Sequence, residues 1–281
     1  MKLLRFGEPG QEKPGLLDGE TLRDLSGVIR DVNPQTLSDA ALENLRQLDF
    51  STLPEVTGNP RIGACVARVG KFICIGLNYK DHADETGAAY PKEPIIFMKA
   101  TSAIQGPNDT ILIPRNSKKT DWEVELGVVI GRAGKYISVE NALSHVAGYC
   151  TINDVSEREF QMERGGTWDK GKGCDTFGPI GPYLVTRDEV PDPQNLSLWL
   201  EVDGHRYQNG TTANMIFTVA ELVSCVSQFM SLQPGDIIST GTPAGVGLGQ
   251  KPEPVYLQAG QTIRLAVEGL GEQLQRVAQD A

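Results

Sequence analysis

The chain lacks an apolar run approaching the roughly 20 residues of a membrane-spanning helix, so no membrane partner is expected. The opening Met-Lys-Leu-Leu-Arg-Phe-Gly breaks off too soon for the apolar region of a signal peptide. Positive charge is in deficit, with 26 Lys and Arg against 36 Asp and Glu and a formal net charge of −10. That balance excludes the basic footprint a nucleic-acid partner requires. It also means that an anionic substrate needs a metal ion or a few local cations to approach. Cysteine is sparse and scattered, at Cys65, Cys74, Cys150, Cys174 and Cys225. The odd number and the absence of any Cys-x-x-Cys exclude a disulfide framework and a thiolate zinc site, and a reducing cytoplasm is the expected location. There is no internal repeat and no low-complexity tract. No strand leads through Gly-x-Gly-x-x-Gly into a helix, which excludes a nicotinamide dehydrogenase.

What the chain does have is an acid-rich strand candidate, Lys119–Gly131. Read with period two, Trp122, Val124 and Leu126 share one face, and Asp121, Glu123 and Glu125 share the other. Strand interiors are poor in carboxylates. Glu123 and Glu125 stand about 7 Å apart on one side, and two anions held that close repel unless a cation lies between them. A hard divalent ion with oxygen ligands satisfies that condition; a solvated outer face is the alternative. Asp154 follows the strand candidate Ala147–Ile152, where a third oxygen ligand can reach the same ion.

Two units are expected, a small one over 1–62 and a main domain over 63–281. The first holds a strand at Lys2–Phe6, a strand at Pro14–Leu17 and a helix within Thr36–Phe50 capped by Ser38; the Pro- and Gly-containing stretch 53–63 reads as a linker. In the second, Lys71–Gly76 reads as a buried strand and Lys80–Thr86 as two turns of helix before Gly87. On that helix His82 and Glu85 are i and i+3, a general-base arrangement if they touch and an acidic helix surface if they do not. Ile95–Lys99 reads as a strand. Ser156–Glu163 reads as a helix with Ser156 and Glu159 as a capping box, and Arg158 and Gln161 share one of its faces, toward a ligand or as ordinary helix surface. Gly165–Gly173 reads as a flexible loop in which glycines beside Lys172 admit a ligand, with a solvated basic loop as the alternative. A hairpin turns at Asp203-Gly204, a helix covers Thr218–Gln228, and Gln258–Glu268 is read as the last strand pair. Gly241–Gly249 holds Thr242; without a following helix start or a Lys-Ser/Thr it is no phosphate loop, and a tight turn near a ligand carboxylate or a plain turn remain. His145 and His205 have no partner within reach and are taken as structural.

Five segments in order, Ile75–Glu85, Trp122–Gly127, Asn153–Gln161, Lys172-Gly173 and Thr240–Gly247, resemble the fumarylacetoacetate hydrolase family. The resemblance implies an α+β, mostly β fold, a mixed β-roll with peripheral helices, and a homodimer binding Mg²⁺ or Mn²⁺. It implies Glu123, Glu125 and Asp154 as metal ligands and His82 with Glu85 as a water-activating pair on a lid. It further implies Lys172 as a catalytic residue, and Arg158, Gln161, Thr242 and Tyr79 as residues that contact substrate. The segment before the lid, Ile73-Cys-Ile-Gly, has no acid, which is similar to the smaller acylpyruvate-hydrolase branch. Within that branch the N-terminal ten residues and the Trp168–Lys172 loop resemble bacterial hydrolases of 2,4-diketo-3-deoxy-L-rhamnonate or L-fuconate. The implied activity is metal-dependent hydrolysis of a C–C bond in a small anionic 2,4-diketo acid. Oxaloacetate decarboxylation, 2-oxo acid dehydration or tautomerisation, and ureidoglycolate lyase activity are the alternatives on the same fold.

Overall fold

The computed structural model describes residues 1–280. Its centre is a mixed nine-stranded sheet in the order Thr21–Asp24, Lys13–Asp18, Lys2–Phe6, Leu184–Thr186, Val146–Asn153, Val124–Ile130, Ile237–Ser239, Phe72–Gly76, Ile95–Lys99. Pairing is antiparallel except between Ile237–Ser239 and Phe72–Gly76. A second sheet runs His205–Thr211, Ser197–Val202, Thr262–Val267, Glu272–Gln279, Ile111–Ile113. The molecule is mostly β with few helices, as expected, and no helix among the described residues is long and apolar enough to cross a membrane.

The sheet is buried on both faces, so the period of two separates two cores rather than core from solvent. Val124, Leu126, Val128 and Ile130 enter one core with Leu198, Leu200 and Leu265 of the second sheet and with Leu222 and Val226 of helix Val219–Phe229. Val129 enters the other core with Leu37, Leu42 and Leu45, which come from in and around helix Asp39–Arg46. Residues 1–62, expected as a small unit, supply three strands at one edge of the large sheet, through the pairing of Lys2 and Leu3 with Val185 and Leu184.

Local chemistry sets the ends of these elements. Ser38 caps the Asp39–Arg46 helix by accepting from Ala41 N, and Thr218 with Glu221 makes a capping box on Val219–Phe229. Asp203 and Gly204 both take positive φ in the expected hairpin turn, 49° and 80°. Three expectations need correction. The helix after Asp154 begins at Arg158, not Ser156; Ser156 lies in a two-residue strand, and Glu157 caps the helix by accepting from Phe160 N. The 165–173 segment is not all loop, because Asp169–Lys172 forms a short helix. The last strand pair is Thr262–Val267 with Glu272–Gln279, so the partner strand lies beyond the expected range.

Candidate active site

The acid-rich segment leaves strand geometry at Trp122 and Glu123, between strands Thr120–Asp121 and Val124–Ile130. Glu123 N donates to Asn153 Oδ1 at 3.1 Å, and Asp154 N donates to Glu123 O at 2.9 Å, which ties the two ligand-bearing segments together. The solvated-face alternative fails, since Glu123, Glu125 and Asp154 are 5%, 2% and 1% exposed. Each offers a carboxylate oxygen within 4.8 Å of the others.

The three acids are balanced unequally. Glu123 meets Arg158 Nη2 at 2.6 Å and Lys172 Nζ at 2.5 Å. Asp154 meets Lys172 Nζ at 2.6 Å and Lys99 Nζ at 2.5 Å. Glu125 Oε2 accepts only from neutral donors, Ser239 Oγ at 2.6 Å and Gly241 N at 2.8 Å. The electrostatics follow. Burial pushes Glu123 upward, but the Lys172 ammonium and then Arg158 outweigh it and hold the carboxyl at about 2. Burial, then repulsion from Asp154 and Glu123, pushes Glu125 well above the usual carboxylate range. Burial opposes the charge on Lys172, yet Asp154 and Glu123 raise its pKa above the usual lysine value. An all-oxygen set with one carboxylate short of positive charge suits a hard divalent cation, so the donor chemistry fits the metal that the resemblance implies.

A cavity of about 230 Å³ opens on this cluster. Its lining brings together Glu123, Glu125, Arg158, Gln161, Lys172, Thr242 and His82. His82 is 8% exposed, and its Nδ1 lies 3.4 Å from Glu85 Oε2. Gly245 N donates to both Glu85 oxygens, at 3.0 and 3.1 Å. Gly245 has φ +104°, and a Cβ there would sit 2.0 Å from Tyr207 O, so the loop reaches Glu85 only as glycine. The Gly-rich segment therefore does not wrap a ligand phosphate. Its N–H groups serve protein carboxylates: Gly241 on Glu125, Gly245 on Glu85, and Gly247 and Leu248 on Asp121.

Lys172 closes the short helix Asp169–Lys172, 2% exposed, rather than riding on a loop. The adjacent glycine serves close packing, since a Cβ at Gly171 would lie 2.3 Å from Glu157 O. Arg158 and Gln161 line the cavity but also bind each other, Nη1 to Oε1 at 3.1 Å. The Thr242 hydroxyl donates to Val124 O at 2.9 Å and accepts from Gln208 Nε2 at 2.8 Å. Tyr79 is not among the residues that line the cavity; it is fully buried, and its hydroxyl has no hydrogen-bond partner.

Three contributors are not singled out from sequence, and a fourth, Asp121, is seen there only as part of the acid face. Lys99 ends its strand against Asp154, Asp121 holds Arg158 Nε at 2.8 Å, and Ser239 and Asn153 fix Glu125 and Glu123. A lysine closing an otherwise apolar strand, Ile-Ile-Phe-Met-Lys, was the legible signal for the first, because a buried ammonium requires an anion. Ser239 and Asn153 carry no comparable signal.

The family model for the fumarylacetoacetate hydrolase C-terminal region matches residues 71–278. A protein from Burkholderia multivorans, whose name goes no further than a provisional "hydrolase", is 68% identical over 276 residues, 98% of each chain. The solved 2-hydroxyhepta-2,4-diene-1,7-dioate isomerase of Mycobacterium marinum is similar at 33% identity and TM-score 0.76, covering 100% of this chain and 99% of its own. The maleylpyruvate hydrolase of Sphingobium sp. SYK-6, solved with manganese(II) and pyruvate, is similar at 26% identity and TM-score 0.83, with both chains covered in full. With the matched region spanning the acid triad, the His82–Glu85 pair and the Gly-rich segment, the chain belongs to the fumarylacetoacetate hydrolase family.

Proposed function

We propose that this protein hydrolyses the C3–C4 bond of an acylpyruvate, a 2,4-diketo acid, using Mg²⁺ or Mn²⁺ held by Glu123, Glu125 and Asp154. One observation carries the reading: His82, backed by Glu85, faces the same cavity as Glu123 and Glu125, two of the three clustered acids. When bound, the ion supplies Lewis-acid stabilisation of the negative charge that develops on the 2-oxo acid end. Glu85, held by Gly245 N–H, turns His82 Nδ1 toward itself and leaves Nε2 to take a proton from water. The hydroxide adds to C4, the C3–C4 bond breaks, and the electron pair stays on C3. His82 returns the proton to C3, which gives pyruvate and a carboxylic acid. Lys172 and the Gln161 amide hold the 2-oxo acid and the developing oxyanion.

Within this class we take 2,4-diketo-3-deoxy-L-rhamnonate as the substrate, giving pyruvate and lactate, on the resemblance of the N-terminal residues and the 168–172 segment to sugar-acid hydrolases. A homodimer in the cytoplasm belongs to the same reading. A tautomerase or isomerase reading is favoured by the likeness to the Mycobacterium marinum isomerase; such a reaction uses the ion and the enolate but consumes no water. The test incubates the protein with acetylpyruvate, 2,4-diketo-3-deoxy-L-rhamnonate and oxaloacetate, with Mg²⁺ or with EDTA. Pyruvate release from the diketones, abolished by EDTA, is the expected result. Faster loss of oxaloacetate, or isomerisation without a second acid product, overturns the hydrolase reading.

A further inference from the structure

Polar and apolar residues both line the cavity. Its cationic lining consists of Arg158, paired with Asp121 and Glu123, and Lys172, which lies between Glu123 and Asp154 and is taken by the 2-oxo acid end in the reading above. His82 is turned to Glu85. The rest of the wall is largely apolar, with Ile75, Leu77, Phe97, Met162, Trp168 and Leu248. This wall begins close to the reacting end, because the Phe97 ring centroid lies 5.2 Å from Lys172 Nζ. Trp168 packs edge-on against Phe97 with centroids 5.2 Å apart. Its indole lies against the strand Phe72–Gly76 at a position only glycine permits, since a Cβ on Gly76 would meet Trp168 Cζ3 at 2.4 Å.

We propose that this cavity selects 2-oxo acids whose far end is uncharged, and rejects those that carry a second carboxylate there. This rests on the 2-oxo acid reading above and deepens it. A second carboxylate entering the cavity would meet aromatic and aliphatic side chains, lose its hydration, and find no cation among the described lining residues that is not already paired. A short alkyl group loses nothing in the same place, and a lactyl group gives up the hydration of one neutral hydroxyl, far less than a carboxylate loses, while burying its methyl against the apolar wall. The names of the two solved relatives carry dioate and maleyl groups, so on this reading the chain parts from them at the acyl end and not at the metal.

The test separates selection from turnover. Titration calorimetry on the Mg²⁺-loaded protein compares 2-oxohexanoate with 2-oxoadipate, which differ only by a terminal methyl against a terminal carboxylate. The expected result is tighter binding of 2-oxohexanoate by about tenfold or more. Met162 is 56% exposed at the rim, and Met162→Arg places a free cation there without disturbing the core; it is expected to narrow or reverse the preference. Equal or tighter binding of 2-oxoadipate by the unsubstituted protein overturns the proposal, and so does failure to bind either acid. If the preference holds while no acylpyruvate is hydrolysed, the hydrolase reading falls and the selectivity stands.

Discussion

Two buried polar networks meet at the strand Val146–Asn153, and they are built to opposite rules. On one side Glu123, Glu125, Asp154 and Asp121 are set against Lys99, Lys172 and Arg158. On the other, Asn153 Nδ2 donates to Gln275 Oε1, and Gln275 Nε2 donates to Pro107 O and Gln273 Oε1. Gln273 Nε2 then donates to Thr151 O and Gly181 O. The amide network is neutral and closes on itself. The charged one leaves Glu125 facing neutral donors and two other carboxylates. A structural network satisfies every member at home, whereas a network poised for a cation retains an anion it has not neutralised.

The sharpest break is Glu125→Gln. The substitution keeps the shape and removes a charge that the metal-free fold holds at a cost. Hydrolysis is expected to fall on the order of 1000-fold, several kcal/mol of lost charge stabilisation. In EDTA the thermal midpoint is expected to rise. The sign follows from linkage: the folded carboxyl holds its proton to higher pH than the usual 4.5 of a free glutamate. Its contribution is therefore fully present below that pH and is lost as pH rises through the folded value. Midpoints measured in EDTA from pH 5 upward should fall less steeply for Glu125→Gln than for the unsubstituted protein. A lower midpoint for the variant at every pH would end the argument that this acid is under-compensated.

His82→Gln is the next test. It leaves both networks intact and removes the proton acceptor, so turnover of an acylpyruvate is expected to drop about 100-fold or more. Metal affinity, followed by titration calorimetry, should stay unchanged. Full activity would transfer the reaction to a mechanism without water activation. Lys172→Met removes an ammonium shared by Glu123 and Asp154. The metal-free protein should melt at lower temperature, because two buried anions lose their common partner. Added Mg²⁺ should restore more of the midpoint than it does in the unsubstituted protein, with turnover reduced about tenfold or more. Unchanged turnover would remove Lys172 from the chemistry.

Much of this was legible because the charged network announces itself. Carboxylates at 121, 123 and 125 contradict strand preference, and the contradiction pointed to the site. The His82–Glu85 spacing was legible for the same reason, as a short helix with an interpretable i, i+3 pair. What was not legible is what depends on tertiary approach. Glycine at 171 reads as room for a ligand and turns out to be a close contact with Glu157 O. The sequence leaves the Gly241–Gly249 segment open between a turn near a ligand carboxylate and a plain turn, while four of its N–H groups face protein carboxylates. The amide network left no trace at all, since Gln273 and Gln275 alternate along a strand whose intervening residues are exposed, as many surface glutamines do. Both lie fully buried.

That silent network gives the smallest expected effect on activity and the most direct measure of how far the two networks depend on each other. Gln275→Leu removes the acceptor of Asn153 Nδ2 and the donor to Pro107 O and Gln273 Oε1, and leaves all three groups buried. Each orphaned group costs about 1–3 kcal/mol, so the denaturant midpoint should fall clearly. Asn153 Oδ1, however, still accepts from Glu123 N, and the acids keep their own cations. Metal affinity of the folded protein is therefore expected to shift by less than about tenfold, the lower edge for removing a group that orients a ligand. A larger loss would mean that the neutral amides set the position of Glu123 through Asn153, and that the division between a self-contained scaffold and a cation-ready cluster is wrong at its one shared residue.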